Sequence, residues 1–382
     1  MTEAIQTIKQ RLDRWNSFVE GGKGSFMFHV NFPLPDLEAQ MPPAPPLWPD
    51  KAQERIERRW AEYEIMCRKA KLVNDDRVPY ISNVTGTEIF AEAFGCKVHR
   101  PDDTNPFALP LIHSAADADG IGTPDLSTSS LAYLFDIADE LFRRGGPDAV
   151  MKPVDIQSPM DIVALIWEKA DLFCAMIEAP EAVKTIAEKV RVLLVAFFDE
   201  WFRRYGTTFI AHYPDYVMHG GITMSVDEVG AINPEMFREF FRDELISLAD
   251  HFGGIGIHCC ADARHQWGNF RELPGLKVMN HNAPPTRNAR EYLLDAVHFY
   301  GDKIAQVPVG WAPANDPDTW PAQFPEGSRV AFHDVPAKDA YSAAAIASRL
   351  QTLRESLNTS KQRSPPNQSF QATLDSAPER GR

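Results

Sequence analysis

The run Gly253-Gly254-Ile255-Gly256-Ile257-His258-Cys259-Cys260 places an imidazole and a thiol two residues apart at the end of a stretch that reads as a buried strand. Residues two apart on a strand share a face, about 6.6 Å from one another at ~3.3 Å per residue. His258 and Cys260 are therefore expected to face one side, with Cys259 on the other. A thiolate at about 2.3 Å and an imidazole at about 2.0–2.1 Å from one zinc ion can converge from that spacing, leaving room for a further protein donor and for substrate. Zinc held in this way would lower the pKa of a bound thiol or water and present it as a nucleophile. The plainer alternative is a core strand in which Cys260 is a small hydrophobe and His258 a hydrogen-bonded interior residue.

A second concentration of proton-carrying groups lies in Tyr213–Glu228, which reads as a loop containing Tyr216, His219 and Asp227. Loops on a rigid scaffold are where such groups act. Gly220-Gly221 permits close backbone approach but is too short for a phosphate cradle. Ser225 or Asp227 capping the following helix is the competing explanation. His281 and Asn282 close a strand, and His29, Asn31 and Trp311 are expected at the same rim, together giving a polar pocket with an aromatic wall for a small organic substrate. The sequence has no Walker loop, no Gly-x-Ser-x-Gly elbow and no His-Glu-x-x-His helix, so phosphoryl transfer, serine hydrolysis and zincin proteolysis lack support.

The elements that must position these residues alternate. Ile5, Ile8, Leu12, Trp15 and Phe18 fall at helical spacing in an opening helix, and Ser25–Asn31 reads as a strand. A charged helix running to about Leu72 precedes a strand at Val78–Ser82 and a helix at Thr87–Phe94 closed by Gly95. After a strand at Ala149–Asp155, Ser158-Pro159 opens a set of helices reaching Tyr205. Strands at Thr208–His212, Gly254–Cys260, Leu276–His281, Lys303–Val309 and Arg329–His333 then alternate with helices at Pro234–His251, Arg264–Leu273, Ala289–Tyr300, Asp316–Gln323 and Ala337–Asn358. Such repeats imply an α/β fold with a parallel sheet, without separating a closed barrel from an open doubly wound sheet. From residue 361 the chain turns polar and loses its apolar period, which predicts a disordered tail over 361–382 behind a single domain over 1–360.

The 382 residues carry a net charge of −14, and no Lys/Arg pair grows into a basic run, which argues against nucleic acid. No apolar run approaches the ~20 residues of a membrane span, so no membrane contact and a cytoplasmic location are expected. Five scattered cysteines do not form a disulfide framework, and reduced thiols are expected.

Several of these segments, spread over most of residues 10–355, resemble the uroporphyrinogen decarboxylase superfamily, which includes corrinoid-dependent methyltransferases. They are Gly86–Cys96, Ser158-Pro159-Met160-Asp161, Ile232–Phe237, Gly253–Cys260 and Leu273–Asn280. The resemblance implies a (β/α)8 TIM-type barrel with an N-terminal helical extension and an active site at the C-terminal ends of its strands. The decarboxylase resembled here carries an arginine clamp after its first strand, suited to a polycarboxylate. This chain has Phe28-His29-Val30-Asn31-Phe32-Pro33 there, a poor match for a tetrapyrrole. The methyltransferase branch resembles this chain in its His-x-Cys pair, matched by His258 and Cys260, but its distant third cysteine is missing because no cysteine follows Cys260. His333, near that position, is the candidate third zinc ligand, against the alternative of a histidine held by Asp334. Asp227 matches an acidic position after the family's Gly-rich turn and is expected to act as general base or substrate-orienting carboxylate.

The reading that follows is zinc-assisted methyl transfer involving a small substrate and a corrinoid protein or thiol, with any corrinoid arriving on a partner. Its alternatives are a metal-independent decarboxylase or lyase using Asp227, and a non-catalytic binding barrel.

Overall fold

The computed structural model describes residues 6–22, 26–101, 104–308 and 323–363. Trp311, the helix expected to begin at Asp316 and the tail beyond 363 lie outside the described residues. The last helix, Ala340–Arg363, runs past residue 360, where the sequence pattern ended the domain.

The strands are β1 (Met27–Asn31), β2 (Tyr80–Ser82), β3 (Lys97–His99), β4 (Phe107–Leu109), β5 (Val150–Lys152), β6 (Thr208–Ile210), β7 (Val217–His219), β8 (Ile222–Ser225), β9 (Ile255–Cys259), β10 (Leu276–His281), β11 (Ala305–Gln306) and β12 (Ala331–Pro336). Parallel pairing runs β8-β9-β10-β11 on one side, and β1-β12 and β2-β5 on the other. Backbone bonds join these pieces. Gln306 bridges to Val330 ahead of β12, Ser158 and Ser225 link the chain after β5 to β8, and Asp76 N–H donates to Phe28 O between the approach to β2 and β1. Among the described residues, β1, β2, β5, β8, β9, β10, β11 and β12 thus follow one another round a ring, with β6 also parallel beside β5, the (β/α)8 barrel.

Alternation sorts the side chains of these strands into two cores. Ile222, Met224, Val226, Ile255, Ile257, Cys259 and Met279 face the helix layer. Met27, Val78, Val150, Val278, Ala305 and Ala331 fill the lower interior with Trp15, Phe18 and Val19 of the opening helix, Ile8–Val19. That helix is fixed by a Thr7/Gln10 capping box and by the buried Arg11 guanidinium, which donates to the carbonyls of Ala70, Val73 and Arg77. It closes the N-terminal end of the barrel, so access is from the C-terminal ends of the strands.

The segment expected as one loop, Tyr213–Glu228, contains two strands. β7 folds back antiparallel on β6, and β8 is a strand of the ring. The turn between them uses Gly220 and Gly221 at φ of 71° and 83°. A Cβ on Gly221 would meet the Gly254 carbonyl at 2.8 Å, so only glycine allows β8 to leave the hairpin so close to β9. Four residues are too short a run to stand out by period against polar flanks. The helix expected over Pro234–His251 is two, Pro234–Phe240 and Arg242–Phe252. A β3–β4 hairpin and a helix at Ala132–Gly145 complete the excursion between β2 and β5.

Candidate metal centre

His258 lies in register with Ser225 of β8 and Asn280 of β10, all on the inner face. Its Nδ1 is 2.5 Å from Asn280 Oδ1, and the Asn280 Nδ2–H donates to the carbonyl oxygen of Val307. Asn280 is fully buried, and His258 nearly so. Tyr213 packs edge-on to the His258 ring, with centroids 4.7 Å apart, and Asn282 hydrogen-bonds the Tyr213 side chain.

Cys260 follows one residue after β9 and is exposed. Asp227, two residues beyond β8, accepts the Cys260 backbone N–H on Oδ1 at 2.6 Å. No side-chain capping bond links Asp227 to the short turn Glu228–Ala231, and the Ser225 hydroxyl pairs with His212 instead of capping. Asp227 is itself placed by Asp161, whose two oxygens accept the N–H groups of Asp227 and Glu228 at 2.8 and 3.0 Å. Burial and the neighbouring Asp227 charge push the Asp161 carboxyl well above the usual range, against those two bonds.

One ligand atom each from Asp227, His258 and Cys260 lies within 4.8 Å of the others. Donors around a tetrahedral zinc stand roughly 3.3–3.8 Å apart, so an inward shift of about an ångström would close the set. Thiolate, imidazole and carboxylate are all zinc donors, and the three residues fit the ion. Without metal, burial and Asp227 push the Cys260 thiol up to about 12.

His333 does not join the converging group of donors. A bulge in β12, where Phe28 pairs Phe332 but Val30 pairs Val335, turns it toward β1. Its Nε2 meets the Asp215 carbonyl at 2.9 Å and its Nδ1 the Asp334 carboxylate at 3.2 Å. Burial opposes the charge on His333, but Asp334 and Asp215 outweigh it and raise its pKa. Both ring nitrogens of His333 are thus engaged by partners other than Cys260 and His258.

The other expected pocket residues separate by strand parity. His29 is inside the barrel, edge-on to His333 at 4.8 Å, with neither ring nitrogen hydrogen-bonded; burial and His333 push its pKa down. Asn31 is exposed at the end of β1. Tyr216 belongs to the lower core, not the rim, and its hydroxyl occupies the space where a Cβ on Gly256 would sit. His281 also departs from expectation. Its neighbour Asn280 faces inward, so His281 points into the helix layer, stacked on Tyr300 and beside Trp267.

Within the run Tyr213–Glu228, the sequence reading gave Asp215 no role of its own. Asp215, at the tip of the β6–β7 hairpin, accepts from the Lys152 ammonium at 2.5 Å and from the Tyr80 hydroxyl. Burial opposes ionisation of Asp215, but Lys152 and His333 hold its pKa down to about 2. Asp155, held by Gln157 Nε2 at 2.8 Å, faces the same interior, and burial raises its pKa.

A ring of parallel strands closed at one end, with potential metal donors converging at the other, defines a barrel of enzymatic architecture. The sequence profile of the uroporphyrinogen decarboxylase (URO-D) family matches residues 84–301, more than half of the chain, and the protein belongs to that family. Among solved structures, a methyltransferase from Methanosarcina mazei superposes with a TM-score of 0.62 over 91% of this chain and 99% of its own, at 11% identity, a likeness of fold. No curated protein matches the sequence. No helix among the described residues is long and apolar enough to cross a membrane.

Proposed function

We propose that this protein is a zinc-assisted methyltransferase of the URO-D family, acting on a small substrate with a corrinoid carried by a separate protein, or a thiol, as second reactant. The observation that carries the reading is the convergence of Asp227, His258 and Cys260 at the open end of the barrel. Asp227 supplies the third donor that the sequence left vacant after Cys260. Zinc, when bound, would supply the Lewis acidity that keeps a substrate thiol ionised near neutral pH.

The protein's own part is to hold and orient. His258 offers a neutral donor, while Cys260 and Asp227 bring two negative charges that offset those of the ion, so a bound sulfur stays electron-rich. Asp161 holds the backbone N–H of Asp227 and the Cys260 N–H holds Oδ1 of its carboxylate, leaving Oδ2 free of that bond. Tyr213 covers one side of the imidazole and limits water there. The alternative of tetrapyrrole decarboxylation lacks its arginine clamp, since the run from Phe28 to Pro33 contains none.

The test is zinc content of the purified protein and its variants, with methyl transfer from methylcobalamin to small thiols as the activity. The expected result is about one zinc per chain, reduced at least tenfold in His258→Ala, Cys260→Ala and Asp227→Ala with loss of transfer, and unchanged in His333→Ala. A folded wild type that takes up no zinc from a zinc-supplemented buffer would overturn the proposal.

A further inference from the structure

We infer that Asn280 is the positioning residue of the metal centre, setting the tautomer of His258 so that Nε2 presents its lone pair to an ion. The inference rests on the zinc reading of the same site, but it concerns a residue that makes no contact with the metal.

The argument starts at a backbone carbonyl. Val307 O can only accept, so the Asn280 atom facing it must be the amide nitrogen. That settles the side chain's orientation, which otherwise has two nearly isosteric choices. With Nδ2 committed to Val307, Oδ1 faces His258. An amide oxygen also only accepts, so the Nδ1 of His258 must carry the hydrogen. A neutral imidazole with its hydrogen on Nδ1 has its lone pair on Nε2. The chain of constraint thus runs from one main-chain carbonyl through one amide to the donor atom of a metal ligand.

Burial makes the constraint strict. Asn280 is fully enclosed between β9 and β11, where no water can substitute for a lost partner, and an unpaired amide there would carry its full desolvation penalty. The other ring neighbours of His258, Tyr213 at 4.7 Å and His212 at 6.3 Å, make edge-to-face contacts that restrict its tilt without choosing a tautomer. His212 has its own nitrogens engaged with Thr223 and Ser225. Asn280 alone among these neighbours addresses a nitrogen of His258.

Two variants test the assignment. Asn280→Leu keeps the approximate shape and removes both polar atoms; Asn280→Asp keeps an acceptor for Nδ1–H. The first readout is the imidazole 15N spectrum of metal-free protein labelled at histidine, with His258 assigned by its loss in His258→Gln. Wild type is expected to show His258 with its hydrogen on Nδ1, Asn280→Asp to keep that signature, and Asn280→Leu to show a mixture or the Nε2–H form. The second readout is affinity for zinc, expected to fall 10- to 100-fold in Asn280→Leu and to be largely restored in Asn280→Asp. An Nε2–H signature in the wild type, or an unchanged spectrum in a folded Asn280→Leu, would overturn the inference. A wild type with the Nδ1–H signature that nonetheless binds no zinc would overturn the zinc reading and leave the tautomer assignment standing.

Discussion

The two halves of the barrel interior are both polar, yet they arrange their charges in opposite ways. On the half formed by β8 to β11, Asp227, His258 and Cys260 are each steadied by a neighbour that takes up one atom and leaves another available. On the half formed by β12, β1, β2 and β5, with the inserted hairpin tip, Lys152, Asp215, Tyr80, His333 and Asp334 satisfy one another. In the first arrangement donor atoms are left available to converge on one point; in the second the charged groups are taken up by their own pairs, and only His29 beside them has neither ring nitrogen hydrogen-bonded. A buried polar group therefore signals a ligand site only when its hydrogen-bonding capacity is incompletely used, and residue type alone does not separate the two cases.

If the halves differ in this way, damage to the paired half should cost stability and spare the metal. Lys152→Met removes the cation from Asp215, leaving a carboxylate that is only partly open to water. Breaking a buried pair costs about 3–5 kcal/mol, and the partial exposure of this one lowers the expectation to about 2–3 kcal/mol. Urea unfolding measures it, and zinc content should stay at the wild-type value. A parallel fall in zinc would show that the two halves are one site.

A smaller effect separates them by pH. Because Asp215 has a folded pKa of about 2, below its ordinary value near 3.9, its ion pairs contribute stability that is present above that ordinary value and lost as the pH falls from about 4 toward 2. His333 has the opposite sign. Its raised pKa contributes stability present below about 6.5 and lost as the pH rises through the folded value. Unfolding free energies of wild type and Lys152→Met should therefore differ most near neutral pH and converge by about pH 2. A gap that stays constant down to pH 2 would remove Asp215 from the account.

The alternation of strands and helices was readable because apolar runs such as Ile255–Ile257 and Leu276–Met279 are bounded by turns. The pairing of His258 with Cys260 followed from strand period. What was not readable is what depends on register and on insertions. Asp227 comes within reach of His258 and Cys260 only because β8, hidden in a polar stretch, aligns Ser225 with His258. Asp161 was visible only as part of a helix start, though its carboxylate reaches across to Asp227. His333 lies apart from the converging donors because of a bulge in β12, with Asp334 at φ 53°, that has no clear signature in sequence. Lys152 and Asp215 meet only through the hairpin, and nothing local in either stretch announces the other.

The smallest expected effect is at His281, and it tests the parity argument most directly. His281 and Asn280 are adjacent, so the pleat sends them to opposite faces. Asn280 serves the interior, while His281 Nε2 meets the Tyr300 hydroxyl at 3.1 Å among aromatic rings outside the ring of strands. His281→Leu leaves that hydroxyl without its partner and should lower stability by about 1–2 kcal/mol, the cost of one unsatisfied buried group. Because no pocket atom changes, zinc content and kcat/KM for methyl transfer should stay within about twofold of wild type. The comparison with Asn280→Leu, one residue earlier, is the informative part. If His281→Leu instead lost turnover at unchanged stability, the register of β10 would be shifted by one residue, and the inward assignment of Asn280 would fail with it.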